Sequence, residues 1–221
     1  MNSLPSVEHS YGTELVRKAI HLSSLSIPLV YFFITKSTAL SILIPLTFAF
    51  LLTDLARFFH QPTRELFENY FGWLLRTHER DTEARRLNGA TYVLLSATLC
   101  VIVFPKIIML TAFAILIISD TSAALIGRRY GRHPFLQKSL EGTTAFLLSA
   151  LMVVVVTPKV EYLQTEYVIG AIAAFCGSII EALPIALDDN LTIPIGLGAI
   201  MWLLYILVLP GVNVYALDGI S

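Results

Sequence analysis

Asp120 stands inside an otherwise apolar stretch, and a basic, glycine-spaced run, Gly127-Arg128-Arg129-Tyr130-Gly131-Arg132, follows about two helical turns later. Lys138 and Ser139 come next, then Glu141 and Gly142 at the start of another apolar run. An ionised carboxylate is costly in hydrocarbon, so Asp120 must face protein, water or a cation. Arginines offer bidentate contacts to phosphate, and glycines allow a tight backbone with exposed N–H groups. A helix opening near Glu141 presents an N-terminus that favours anions. These residue types in this order describe a site for a phosphorylated ligand. Its candidates are Gly127, Arg128, Arg129, Gly131, Lys138, Ser139 and Gly142, in a loop spanning 127–140. It is not a P-loop: the second glycine before Lys138-Ser139 is missing and no strand precedes it. The plainer reading of the arginines is a positive membrane anchor, which has no need of the glycines.

Other polar residues recur at the edges of apolar runs. Glu181 lies near the end of one run, and Asp188, Asp189 and Asn190 precede the next. Carboxylates gathered at one depth repel unless a cation separates them. Mg²⁺ suits that role, being held by one or two carboxylates together with phosphate oxygens. Asp120, Asp188 and Asp189 are the metal candidates, with Glu141 a further one. Asp189 or Asn190 can equally be a helix N-cap, and Glu141 a favourable charge at a helix start. Lys18 and His21 fall one turn apart on one helical face, where His21 could accept a proton or position a hydroxyl. Asn88 and Thr91 open another apolar run as caps or ligand contacts. Arg76 and Glu79 share a face with Arg80 and Glu83, as in a solvated, salt-bridged helix.

These residues need elements to position them. The chain has 221 residues, 56% hydrophobic and 14% charged, the balance of an all-α polytopic membrane protein with no large soluble domain beside it. A net charge of −1 gives no overall attraction for nucleic acid. Cys100 and Cys176 lie in apolar runs and read as small buried hydrophobes. Seven apolar runs predict membrane spans at about 15–34, 38–56, 88–104, 107–126, 141–157, 167–187 and 191–209. The first has no small-residue cleavage site after it and reads as a retained span. Segment 57–87, with aromatic residues recurring among charges, predicts a cytoplasmic interfacial helix. With the N-terminus inside, 12 of the 15 Lys and Arg fall on cytoplasmic segments, and only Lys36, Lys106 and Lys159 fall outside. The positive-inside rule then supports seven spans in a single membrane domain, with the C-terminus on the opposite side. The polar stretches all fall at the cytoplasmic face.

Five stretches carry a family resemblance: RKAIHLSS at 17–24, LLRTHE with LNGATYVLL at 74–79 and 87–95, DTSAALIGRRYGR at 120–132, QKSLEGT at 137–143 and DDNLTIP at 188–194. In this order they resemble the CTP-dependent lipid kinases: dolichol (polyprenol) kinase, phytol kinase and CTP-dependent diacylglycerol kinase. The resemblance implies CTP binding by Asp120, Gly127, Arg128, Gly131, Lys138, Ser139, Glu141 and Gly142. Gln137 departs from members that carry a second basic residue there. The same pattern resembles phosphatidate cytidylyltransferase more distantly.

The expectation is a kinase that moves the γ-phosphoryl of CTP, with Mg²⁺, to the hydroxyl of a membrane lipid alcohol: a polyprenol, phytol or diacylglycerol. His21 or Glu181 would take the hydroxyl proton. A cytidylyltransferase would instead release pyrophosphate. A non-enzymatic carrier would place acids at mid-depth and polar loops on both faces.

Overall fold

A computed structural model describes residues 11–71 and 87–219. Arg76 and Glu79 lie outside the described residues. The described chain runs α1 (Tyr11–Ser23), α2 (Ser26–Phe33), α3 (Lys36–Phe59), α4 (Gln61–Phe71), α5 (Gly89–Val103), α6 (Lys106–Tyr130), β1 (Pro134–Phe135), β2 (Lys138–Ser139), α7 (Leu140–Val156), α8 (Gln164–Ala182) and α9 (Asp189–Val208). Four helices, α3, α6, α8 and α9, are long and apolar enough to cross a membrane. The apolar helices α5 and α7 are shorter. The protein is thus a helical membrane protein.

The bundle is built around α6. Its residues from Lys106 to Ile117 are all buried, and α7, α9, α1 and α2 pack on it. Helix α5 packs mainly on α3 and α9, although only Phe104 and Pro105 separate it from α6 in the chain. The large exposed hydrophobic side chains, such as Phe33, Phe48, Met152 and Val156, belong to outer helix faces. That is where a lipid-facing surface is expected to be apolar.

Three features differ from the sequence expectation. The run 15–34 is not one helix: α1 stops at Ser23 and α2 begins at Ser26. Pro28 explains the break. It has no N–H to donate and its ring opposes the carbonyl of Ser24, four residues before it. That carbonyl instead accepts from Ile27 N at 3.0 Å, a tighter turn. Second, α3 runs on to Phe59, so Arg57 is a buried helical residue and not part of an interfacial segment; only α4 of that segment is a separate described helix. Third, 127–140 is not a glycine loop. Helix α6 continues through Gly127 to Tyr130, and the chain then makes a small antiparallel hairpin pairing Pro134 with Ser139 and Phe135 with Lys138.

The end of the bundle away from Asp120 is closed by three lysines. Lys36 Nζ donates to Ile102 O near the end of α5 at 2.9 Å. Lys106 Nζ donates to Ile34 O just past α2 at 2.9 Å. Lys159 Nζ donates to Val154 O and Thr157 O at the end of α7, at 2.6 and 2.7 Å. Each ammonium thus meets carbonyls that a helix C-terminus leaves without partners, at the negative end of its dipole. Beside them, Glu166 is fully buried and accepts from the backbone N–H groups of Val160, Glu161 and Leu163 and from Tyr205 Oη. One carboxylate joins the α7–α8 connection to the end of α9. Glu166→Ala leaves four donors without an acceptor. It is expected to lower the stability of the detergent-solubilised protein by about 3 kcal/mol or more. A thermal melt checks this, and an unchanged midpoint would contradict it.

Candidate functional site

Helix α1 brings Lys18 and His21 to α6. Their three-residue spacing puts both on one face, and both reach the same oxygen of Asp120, although Lys18 and Asp120 are 102 residues apart. Lys18 Nζ lies 2.6 Å from Asp120 Oδ2, and His21 Nε2 lies 3.6 Å from it. All three side chains are largely buried. The acid within an apolar helix has therefore found a cation, as its desolvation requires.

The hairpin brings Lys138. Leu136, at its tip, adopts a left-handed φ of 51°, and the backbone N–H of Gln137 donates to Ala182 O, the last residue of α8. That contact docks the hairpin on the end of α8. The Lys138 ammonium then lies 3.1 Å from Glu181 Oε1 in the last turn of α8 and 2.9 Å from Asp189 Oδ2 in the first turn of α9. Partial burial alone would lower the Lys138 pKa. Asp189 and Glu181 outweigh that and hold it above the ordinary lysine value, with Asp120 adding in the same sense. Five elements thus converge on one polar cluster, in which three carboxylates face two ammonium groups. Glu181 is only 3% exposed, and its Oε2 is buried with no hydrogen-bond partner among the described residues.

The glycines have a packing job. A Cβ on Gly127 would lie 3.0 Å from Ser139 Oγ and 3.4 Å from Gly142 Cα. A Cβ on Gly142 would lie 3.1 Å from Ala123 O. One on Gly131 would meet Ser139 Oγ at 2.8 Å. These glycines let α6, the hairpin and the start of α7 touch backbone to backbone. The N–H of Gly131 donates to Gly127 O, and that of Gly142 to Ser139 Oγ, which caps α7. Neither amide is turned outward as a phosphate cradle. The arginines are exposed, Arg128 and Arg129 in the last turn of α6 and Arg132 just past it, and Arg129 stacks on the Tyr130 ring.

Other candidates are engaged elsewhere. Glu141 pairs with His133, whose Nδ1 lies 2.7 Å from Glu141 Oε1. It also accepts from His133 N, so it joins the exit of α6 to the start of α7. Asp188 is the N-cap of α9, accepting from both the backbone and side-chain nitrogens of Asn190 at 2.9 and 2.7 Å. Asn88 caps α5 through Thr91 N, and both residues serve a group that sequence reasoning passed over. Asp54, fully buried in α3, accepts from Asn88 N, Asn88 Nδ2 and Thr91 Oγ1 at 2.8, 2.9 and 2.7 Å. Arg57 Nη2 lies 3.4 Å from the same carboxylate. The available signal was an aspartate within the apolar run LLTDLARFF.

Among the described residues, no three His, Cys, Asp or Glu side chains form a ready metal cage. The donor chemistry nevertheless fits Mg²⁺ carried in with phosphate. Hard carboxylate oxygens are present, one of them is unsatisfied, and one or two carboxylates suffice when phosphates and water complete the shell.

No protein-family model matches the chain, and no solved structure matches it. An uncharacterized protein of Rickettsia prowazekii is 29% identical over 187 residues, covering 84% of this chain and 91% of that protein. The phytol kinase of Synechocystis sp. is 34% identical over 89 residues, covering 38% of each chain. The chain therefore matches a little over a third of that kinase's length.

Asp54→Ala removes the acceptor for three donors and the partner of a buried guanidinium. It is expected to destabilise the protein by roughly 3–5 kcal/mol, read as a lower melting midpoint. A wild-type midpoint would mean that this network does not hold α3 to α5.

Proposed function

We propose that the protein is a membrane-embedded phosphotransferase that moves the γ-phosphoryl of CTP to the hydroxyl of a membrane lipid alcohol. The observation that carries this is the convergence of Lys18, Asp120, Lys138, Glu181 and Asp189 at one end of an apolar helix bundle. The partial match to phytol kinase supports the same class of reaction. CTP as donor rests on the sequence resemblance to the CTP-dependent lipid kinases.

Phosphoryl transfer asks mainly for positioning and neutralised charge. Both lysines are paired with carboxylates and would exchange them for phosphate oxygens. Arg128, Arg129 and Arg132, exposed at and just past the end of α6, would meet the nucleotide first. A lipid whose tail stays in the bilayer would present its hydroxyl to the cluster from the side. Its oxygen forms a bond to the γ-phosphorus as the bond to the β–γ bridging oxygen breaks. CDP leaves, and the hydroxyl proton passes to His21 or Glu181. Mg²⁺ would be held by carboxylates of the cluster, Asp120 and Asp189 among them, and would supply positive charge to the phosphates.

The same reading takes α1–α2, α3, α5, α6, α7, α8 and α9 as seven crossings, with the N-terminus and the site cytoplasmic and the C-terminus opposite. Helix α5, with 15 residues, is about 22 Å long against a hydrocarbon core of roughly 30 Å. It is also among the helices packed inside the bundle, where a short helix meets neighbouring helices and not lipid.

The test is a product assay with Mg²⁺, CTP labelled at either the α- or the γ-phosphate, a mixed lipid-alcohol extract and phosphatidate. γ-Label is expected in the lipid phase, reduced roughly 100-fold or more in Asp120→Asn and Lys138→Ala. α-Label in the lipid phase would replace the kinase with a cytidylyltransferase. No transfer and no CTP binding by folded protein would overturn the nucleotide reading.

A further inference from the structure

We propose that Glu181 and Asp189 form a divalent-cation site whose place the Lys138 ammonium holds until a phosphate draws it away. This deepens the phosphotransferase reading and rests on it for the identity of the incoming phosphate. The two carboxylates come from different helices, α8 and α9, yet both lie within hydrogen-bond reach of a single positive charge: Nζ is 3.1 Å from Glu181 Oε1 and 2.9 Å from Asp189 Oδ2.

A second observation is independent of that grouping. Glu181 is 97% buried by its 3% exposure, and its Oε2 has no hydrogen-bond partner among the described residues. A carboxylate oxygen left unsatisfied in the interior is costly, so one ammonium does not complete this carboxylate. Charge points the same way. Among the described residues Asp120 pairs with Lys18, and Glu181 and Asp189 both pair with Lys138, with His21 beside Asp120 charged only when protonated. A polyanion brought among these carboxylates adds to their mutual repulsion, which an accompanying cation offsets.

Exchange meets both needs. The Lys138 ammonium turns to a phosphate oxygen, and the two carboxylates it leaves take Mg²⁺ along with phosphate and water, a usual ligand set for this ion. Asp188 is not part of this pair: the Lys138 ammonium bridges Glu181 and Asp189, while Asp188 Oδ1 accepts from the two nitrogens of Asn190 at the start of α9. With Glu181 holding the cation, His21 is left to receive the hydroxyl proton.

The probe is Mn²⁺ alone, titrated against the full chain in detergent without nucleotide and read by loss of the free-ion spin-resonance signal. Wild type is expected to bind weakly, because Lys138 competes. Lys138→Met should bind at least about tenfold more tightly, as removal of a neighbouring positive charge implies. Adding Glu181→Gln or Asp189→Asn to that variant should abolish the gain, while adding Asp188→Asn should not. Should Lys138→Met fail to fold, Lys138→Gln keeps an amide donor to the carboxylates and is expected to show the same change to a smaller degree. Folded Lys138 variants that bind Mn²⁺ no more tightly than wild type would overturn the proposal, as would a gain that survives Glu181→Gln. Lipid phosphorylation without the Mn²⁺ gain would sink the cation site alone. The gain without any phosphoryl transfer would leave the cation site standing and remove the kinase reading.

Discussion

A carboxylate inside the central helix of an apolar bundle has to be paired, and the pairing of Asp120 with Lys18 organises much of what surrounds it. Without α1 against α6, Asp120 would be an uncompensated charge next to hydrocarbon. With it, the break at Ser24 and Leu25 becomes useful. Pro28 ends one helix and starts another, so α1 and α2 pack on α6 as separate helices. His21 arrives with Lys18 because the two share a helical face.

The two ends of the bundle use lysine in opposite ways. At the far end, Lys36, Lys106 and Lys159 donate to carbonyls at or just past helix C-termini, and Glu166 gathers backbone N–H groups. Those polar groups satisfy the backbone and are consumed by it. At the near end, Lys18 and Lys138 are held by side-chain carboxylates. A lysine bound to a backbone carbonyl closes a helix. One held between carboxylates can exchange those partners for another anion at lower structural cost. This difference, and not the number of charges, separates the structural end from the candidate site.

Much of the helical layout was legible in the sequence. Apolar runs bounded by Pro105-Lys106, Thr157-Pro158-Lys159 and Asp188-Asp189-Asn190 coincide with α3 and with α5 to α9, because hydrocarbon length and helix breakers both leave linear signals. The break in the first run was less visible, since a proline inside an apolar run can kink a helix or end it. Asp54 was missed for a related reason. Its partners Asn88 and Thr91 are more than thirty residues away and read locally as caps. The glycines of 127–142 were open to two readings for a different reason. Composition marks a close backbone approach, but not whether the approaching group is a phosphate or the next helix. Here it is Ser139 and the start of α7.

By itself the sequence determined that this is a helical membrane protein with polar residues recurring at the edges of its apolar runs, because burial cost and helix length act on contiguous residues. Only the tertiary structure decided which acid faces which base. Asp120 meets Lys18 across 102 residues and Lys138 meets Asp189 across 51, while Asp188 and Glu141 turn to Asn190 and His133. Neighbouring acids such as Asp188 and Asp189 have nearly the same local sequence, and they differ in role because one caps a helix while the other points to a lysine carried in by a hairpin. Charge pairing depends on distance in space, and that distance is set by how α1, α6, the hairpin, α8 and α9 pack.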